Sequence, residues 1–267
     1  MIGVIPEPFL LLILITISAS IGSFLSVIIH RVPSGNSIMK PASHCPKCRE
    51  KIKFSDNIPI LGYILLRGQC RYCREHISLR YPLVEALAVI LTLLIYRVYG
   101  QSSAFLLYTG LAYLLIAITF IDIDHFIIPN GFIVIGLIVL LPTQALGWLP
   151  MHWGDGINGS LCFAGFLFAM GIIGQFILKK ESIGFGDVKL GLILGGFLGM
   201  ELSVLALYLS FVSSAFIVIT TIARGNAGRG TKIPFGPYLA IGTLATLLTN
   251  LPGGGNMIIN WYFRTMF

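Results

Sequence analysis

Charge is what this sequence has least of. Only 11% of its 267 residues are Asp, Glu, Lys or Arg, whereas a soluble domain carries about a quarter. Hydrophobic residues make up 56% of the chain, and the mean hydropathy is +0.88. So few charges cannot solvate the surface of a globular protein, and several apolar runs reach the ~20 residues that cross a bilayer. The composition excludes a soluble globular protein and predicts an integral membrane protein.

Long polar stretches are equally scarce, since only residues 30–82 form one. The apolar runs predict an all-α membrane protein with about eight transmembrane helices and one small loop domain between the first and second. The predicted spans are 9–29, 83–98, 104–121, 132–148, 158–178, 188–200, 202–223 and 233–251. The predicted domains are a first helix (1–30), the loop domain (31–82), a membrane core (83–252) and a C-terminal tail (253–267).

Lysine and arginine are missing from alternate loops. Residues 100–103 and 142–157 contain none, whereas ten of the eighteen lie within 31–80. This pattern follows the positive-inside rule and argues against a nucleic-acid interface as the reason for the net charge of +7. It predicts a periplasmic N-terminus and the cytoplasmic loops 30–82, 122–131, 179–187 and 224–232.

The same rule decides how residues 188–223 cross the membrane. Both flanking loops are basic, so an even number of crossings must separate them. One helix of that length would also far exceed a ~30 Å hydrocarbon core. Two short helices are therefore expected, with Gly191, Gly195 and Gly199 forming a small-residue stripe for close packing.

A basic stretch before the first apolar segment is also absent. Glu7 precedes this segment, and His30 and Arg31 follow it. That order is the reverse of a cleavable signal peptide. The segment is expected to remain as a transmembrane helix.

The sequence contains only five cysteines, and four of them form two C-x-x-C pairs. Cys45 with Cys48 and Cys70 with Cys73 are separated by a gap close to that of paired zinc knuckles. Four thiolates hold Zn²⁺ tetrahedrally and leave no open position, which predicts a structural role. Disulfides or a redox dithiol are the alternative, and the predicted cytoplasmic location disfavours stable disulfides. The fifth, Cys162, lies within a predicted span and is expected to pack there.

Carboxylates in or beside membrane spans are costly and mark function. Asp122 and Asp124 end the third predicted span, and Asp187 opens the sixth on the same side of the membrane. Two carboxylates that meet there would share one proton and could act as an acid–base pair. Asp122 and Asp124 cannot both face one site, because residues i and i+2 point to nearly opposite faces of a helix.

Non-catalytic interpretations remain open for these residues. Asp124 would serve equally as a solvated helix end, and His125 as an interfacial histidine. Glu85, just inside the second predicted span, has either a functional role or an ion pair with Arg80. The residues alone do not choose between Asp122 and Asp124.

Several motifs together resemble the bacterial type IV prepilin peptidases, which are membrane aspartyl proteases with a Gly-x-Gly-Asp motif. Residues 184–189 (GFGDVK) resemble that motif, and Asp122 stands seven residues before Pro129 as in the family. Residues 22–33 resemble the family's opening stretch, with Ser26 in place of the usual asparagine. Further matches are the C-x-x-C pairs, 57–59 (NIP), 66–68 (LRG), 80–85 (RYPLVE) and 232–237 (KIPFGP).

The resemblance implies that Asp122 and Asp187 are the catalytic pair. It implies cleavage of the short basic leader from type IV prepilins or pseudopilins at the cytoplasmic face of the bacterial inner membrane. It also implies N-methylation of the new N-terminus with S-adenosylmethionine, for which no motif places a site. A transporter or a zinc-bearing scaffold is the functional alternative, and loss of cleavage in aspartate variants would exclude both.

Overall fold

The computed structural model describes residues 6–40, 43–178, 183–224, 233–251 and 255–266, apart from the side chain of residue 178. All the regular elements in these segments are helical. They are α1 (Glu7–Arg31), a 3₁₀ turn (Phe54–Asn57), α2 (Leu61–Leu65), α3 (Arg80–Tyr99), α4 (Ser103–His125), α5 (Asn130–Ala145), α6 (Trp153–Leu178), α7 (Phe185–Ala223), α8 (Gly236–Leu248) and α9 (Met257–Met266).

Five of these helices are long and apolar enough to cross a membrane, namely α1, α3, α4, α6 and α7. Two shorter apolar helices, α5 and α8, coincide with the fourth and eighth predicted spans. The chain is thus an all-helical, multi-pass membrane protein, as its composition predicts. The count of eight spans stays a prediction.

The long helix α7 is broken at Gly199, whose backbone is non-helical with a φ of 76° and a ψ of 178°. Helix α6 contacts both halves: Phe163 and Leu167 lie beside Gly191, and the ring of Phe166 lies 5.5 Å from that of Phe211. A straight helix would separate residues 191 and 211 by about 30 Å. The two halves therefore fold back on each other as a hairpin, as the two short predicted helices require.

The glycine stripe contributes to this packing. A Cβ on Gly195 would lie 2.1 Å from the carbonyl oxygen of Gly159 in α6. Only glycine allows the two backbones to approach so closely.

The chain forms two compact units, residues 1–94 and 95–267, with the boundary inside α3. In the first unit, α1 packs on the start of α3, where Gly22 lies against the backbone of Glu85. The second unit contains α4 to α9, with a core that includes Tyr108, Phe163 and Leu239. These two units differ from the four domains predicted from the sequence, and the four-domain division stays a prediction.

Candidate active site and metal centre

Asp122 and Asp187 both lie in the second unit, near enough for their charges to interact. Asp122 lies in the last turn of α4 and is 5% exposed, and Asp187 lies in the first turn of α7 and is 8% exposed. Burial of two neighbouring carboxylates is costly unless they share a proton or accept hydrogen bonds.

Each carboxylate is oriented by the main-chain N–H of a glycine. Gly236 donates to Oδ2 of Asp122 at 2.8 Å, and Gly184 donates to Oδ2 of Asp187 at 3.1 Å. A Cβ on Gly236 would lie 2.8 Å from that same oxygen of Asp122. The glycine is therefore required for the N–H to reach the carboxylate. The sequence places Gly236 in a matched motif, 232–237, but carries no sign of its contact with Asp122.

A tight turn after α4 sets the position of α7 against Asp122. Phe126 ends α4 in the left-handed conformation. The side chain of Ile128, two residues later, packs against Gly186. A Cβ added to Gly186 would be 3.2 Å from the Ile128 side chain. Nζ of Lys189 donates to Oδ1 of Asn130 at 3.0 Å, which joins α7 to the start of α5.

Asp124 and His125 have different surroundings from Asp122. Both are exposed, although they belong to the same last turn of α4. The structure therefore brings Asp122 toward Asp187 and leaves Asp124 on an exposed face. Two adjacent carboxylates that share one proton can supply a base and an acid in the same step.

The four predicted metal ligands meet in the first unit. Sγ atoms of Cys45, Cys48, Cys70 and Cys73 all lie within 4.8 Å of one another. Two of the distances are 3.7 Å (Cys45–Cys73) and 4.0 Å (Cys48–Cys70). Four sulfurs placed tetrahedrally at about 2.3 Å from Zn²⁺ would be about 3.8 Å apart. The cluster fits one tetrahedral metal ion.

Each C-x-x-C pair is built by the same local turn. The N–H of Cys45 donates to the carbonyl of Glu50 and that of Cys70 to the carbonyl of Glu75, at 2.9 and 2.8 Å. Arg49 and Arg74 both have a φ of 59° at the equivalent position. The repeated sequence C-x-x-C-R-E is the signal from which this duplication could have been predicted.

The electrostatics of the cluster favour a bound cation. Backbone N–H groups of Cys48 and Lys47 lower the pKa of the Cys45 thiol to about 6. The N–H of Glu50 also lowers the pKa of Cys48, but burial and the neighbouring thiols outweigh it and raise this pKa to about 12. Neighbouring sulfurs resist sharing several negative charges unless a metal ion neutralises them.

One ion pair joins the two cysteine turns to each other, and a second joins the later turn to the rest of the loop. Lys47 pairs with Glu75 of the other turn, and Nε of Arg71 donates to Oδ2 of Asp56 at 2.7 Å. The Arg71 guanidinium lowers the pKa of Asp56. Cys162 is not one of the four clustered cysteines and belongs to α6 of the second unit.

A third carboxylate is buried in the first unit. Glu85, in the second turn of α3, is 7% exposed, and its Oε2 accepts the N–H of Ile60 at 2.7 Å. Because its carboxylate is buried and accepts a main-chain hydrogen bond, Glu85 is not simply a solvated charge at the membrane edge.

Comparisons with known proteins identify the family of this chain. Residues 16–99 match the Bacterial Peptidase A24 N-terminal domain, and residues 109–219 match the Type IV leader peptidase family. A Prepilin leader peptidase/N-methyltransferase of Aeromonas salmonicida is 34% identical over 93% of this chain and 92% of its own length.

Two further relatives show the same breadth of similarity. The Prepilin leader peptidase/N-methyltransferase of Pseudomonas putida is 32% identical over 85% of this chain and 86% of its own. The Type 4 prepilin-like proteins leader peptide-processing enzyme of Escherichia coli is 36% identical, with 85% and 89% covered. No solved structure matches the chain. The resemblance seen in the sequence motifs is thus confirmed, and the chain belongs to the Type IV leader peptidase family.

Proposed function

We propose that this protein is a membrane aspartyl endopeptidase that removes the leader from type IV prepilins or pseudopilins and then N-methylates the new N-terminus. The observation that carries the proposal is the buried pair Asp122 and Asp187, each oriented by a glycine N–H. Similar proteins of the same family carry names that state both activities.

The proposed hydrolysis uses the two aspartates as base and acid. One carboxylate takes a proton from a water molecule, whose oxygen attacks the carbonyl carbon of the scissile peptide bond. The other, protonated, carboxyl group donates its proton to the leaving nitrogen as the C–N bond breaks. The glycine N–H groups keep both carboxylates in place throughout, so that their orientation is not lost when the proton moves.

The second proposed activity needs a methyl donor. S-adenosylmethionine, when bound, would supply the methyl group for the new N-terminal amine. Zn²⁺ held by Cys45, Cys48, Cys70 and Cys73 would have no open position and would stabilise the fold of the loop.

We also propose the bacterial inner membrane as the location, with a periplasmic N-terminus and the active site at the cytoplasmic face. The distribution of lysine and arginine supports this orientation. Reporter fusions after Lys53, Lys180 or Arg229 should report cytoplasm, and fusions after Ser102 or Trp153 should report periplasm. Lys180 and Arg229 lie outside the described residues. A periplasmic signal at Lys180 would contradict the eight-span arrangement.

The peptidase proposal is tested with purified protein and a prepilin substrate. Asp122→Asn and Asp187→Asn should each lower the rate of leader cleavage by about 10²–10⁴-fold. An asparagine oxygen can still accept the glycine hydrogen bond, so the fold should persist, with unchanged zinc content as the check. Asp124→Asn is the matched control and should retain most activity. Normal cleavage by the Asp122 variant with loss in the Asp124 variant would show that Asp124, and not Asp122, is the catalytic partner of Asp187.

A further inference from the structure

Helix α9 has one face that is entirely apolar. Residues of an α-helix that are spaced by one, four, five and eight positions lie on the same face. On α9 this face consists of Ile258, Ile259, Tyr262, Phe263 and Met266. The rest of the helix surface carries Met257, Asn260, Trp261, Arg264 and Thr265. Tyr262, Phe263 and Met266 are exposed, so the other described residues leave most of the apolar face uncovered.

Buried hydrogen bonds fix the start of α9 to the end of α8. Asn256 is only 1% exposed, and its Nδ2 donates to the carbonyl of Thr246 at 2.9 Å and to Oγ1 of Thr249 at 3.1 Å. Its Oδ1 accepts the N–H of Ile258 at 2.9 Å, and the N–H of Met257 donates to the carbonyl of Thr249 at 2.8 Å. Because these bonds are costly to break, α9 begins at the level where α8 ends.

This end of α8 is the one far from the aspartates. Gly236, which donates to Asp122, is the first residue of α8, so the other end is about 20 Å away. At that other end, the hydroxyl of Tyr99 donates to the carbonyl of Leu247 at 3.0 Å. Tyr99 directly precedes the loop 100–103, which contains no lysine or arginine. Helix α9 therefore lies on the same side of the membrane as this loop.

We propose that α9 lies in the plane of the membrane and inserts its apolar face into the leaflet on the side of the loop 100–103. Helix α8 is an apolar helix of a multi-pass membrane protein, so the lipid around α8 is already adjacent to the start of α9. With 10 residues, α9 is about 15 Å long and too short to cross a bilayer. The leaflet is the periplasmic one if the proposed orientation is correct, but the contact with lipid does not depend on it.

The composition of α9 fits the headgroup region better than a protein partner or water. Trp261 and Tyr262 are the residue types enriched where a membrane meets water, because each has an apolar ring and one polar group. Arg264 is the only charged residue between 252 and 267, and it offers a positive charge to lipid phosphates. An apolar face with a basic residue outside it is the pattern of helices that lie in the membrane interface.

The test measures the depth of Trp261 in the full chain in phosphatidylcholine nanodiscs. Trp148→Phe with Trp153→Phe leaves Trp261 as the only tryptophan, and leader cleavage by this variant is the check of its fold. Its fluorescence is measured in lipids that carry bromine atoms near the headgroup, at mid-chain or near the chain end. The bromines near the headgroup should quench Trp261 at least about twofold more than those near the chain end. Trp261→Phe in the same background gives the signal that does not come from this residue.

A matched pair of variants tests which face contacts lipid. Phe263→Lys places a positive charge on the apolar face, where contact with lipid makes it costly. Thr265→Lys adds the same charge two residues later, on a nearly opposite side of the helix. Quenching of Trp261 by bromines near the headgroup should fall by about half or more in the first variant and stay close to its original value in the second. Equal responses in the two variants would overturn the assignment of the face.

Three results of the depth measurement would overturn the contact with the headgroup region. Quenching by iodide in water but by no brominated lipid would place α9 in solution. Strongest quenching by bromines near the chain end would place it deep in the bilayer. Quenching by neither iodide nor brominated lipid would show that protein, such as a second copy of this chain, covers it. Because leader cleavage is measured on the same preparation, each of these results leaves the proposed peptidase function to be judged separately.

Discussion

The cysteine cluster and the aspartate pair each bring ionisable side chains together. The cluster is positioned by local turns, whereas the pair is positioned by contacts between distant parts of the chain. Each half of the cysteine cluster is shaped within six residues by its own turn, 45–50 or 70–75. The aspartate pair depends on groups far apart in the chain, because Asp122 is held by the N–H of Gly236. A local centre withstands changes elsewhere in the fold, whereas a long-range centre depends on the packing of several helices.

The largest effect on leader cleavage is expected from a substitution at Gly236. In Gly236→Ala the new Cβ would lie 2.8 Å from Oδ2 of Asp122, so the carboxylate must move. Misplacement of a reacting group by about 1 Å costs about 10²-fold in rate. We expect such a loss in leader cleavage, measured as kcat/KM on a prepilin, with the zinc content unchanged.

Gly110→Ala is the control for this substitution. Gly110 belongs to the same helix as Asp122, and nothing lies within 4 Å of the position of its added Cβ. Its cleavage rate should stay close to wild type. Equal losses in the two variants would show that the helices, and not the contact with Asp122, determine activity.

An intermediate effect is expected from Cys45→Ser with Cys48→Ser. Loss of two thiolates should reduce the zinc content from one ion per chain to nearly none, as measured by elemental analysis. Methylation should fall more than cleavage, since the loop belongs to the first unit and the aspartates to the second. An unchanged ratio of the two activities would break the proposed division of labour, and undiminished zinc would exclude the metal site.

The smallest effect is expected at Asp56, whose pKa is lowered by Arg71. A lowered carboxyl pKa stabilises the folded loop above the unfolded pKa of about 3.9, and this stability is lost as the pH falls through the folded value. At pH 7 the full contribution is present. Asp56→Asn should therefore release zinc to a chelator a few-fold faster at pH 7, and the difference from wild type should shrink at high salt, which screens an exposed ion pair. A difference that does not change with salt would assign the effect to packing.

The contrast also explains what could be predicted from the sequence. The cysteine ligands follow from spacing alone, because each pair is positioned by its own turn. The hairpin within residues 188–223 followed from the basic loops on either side, before the break at Gly199 was visible. These features depend on composition or on short-range geometry.

The long-range partners were not accessible in the same way. The interaction of Gly236 with Asp122 spans 114 positions, and only the packing of α8 against α4 brings the two residues together. The contact of Glu85 with Ile60 requires a strained residue that no propensity predicts. The choice of Asp122 over Asp124 came from family resemblance, and burial of Asp122 supports it.

The short helices have a consequence for the bilayer itself. Helices α5 and α8 contain 16 and 13 residues, and the first half of α7 between Phe185 and Gly199 is similar in length. These helices extend only about 20–24 Å against a hydrocarbon thickness of about 30 Å. Helices α7 and α8 begin beside the aspartates, and the start of α5 is joined to α7 through Asn130 and Lys189. If the eight-span arrangement holds, local thinning of the membrane is one way to relieve this hydrophobic mismatch. Hydrolysis consumes water, and a dimple in the lipid at this point would bring bulk water down to the two carboxylates without a dedicated channel.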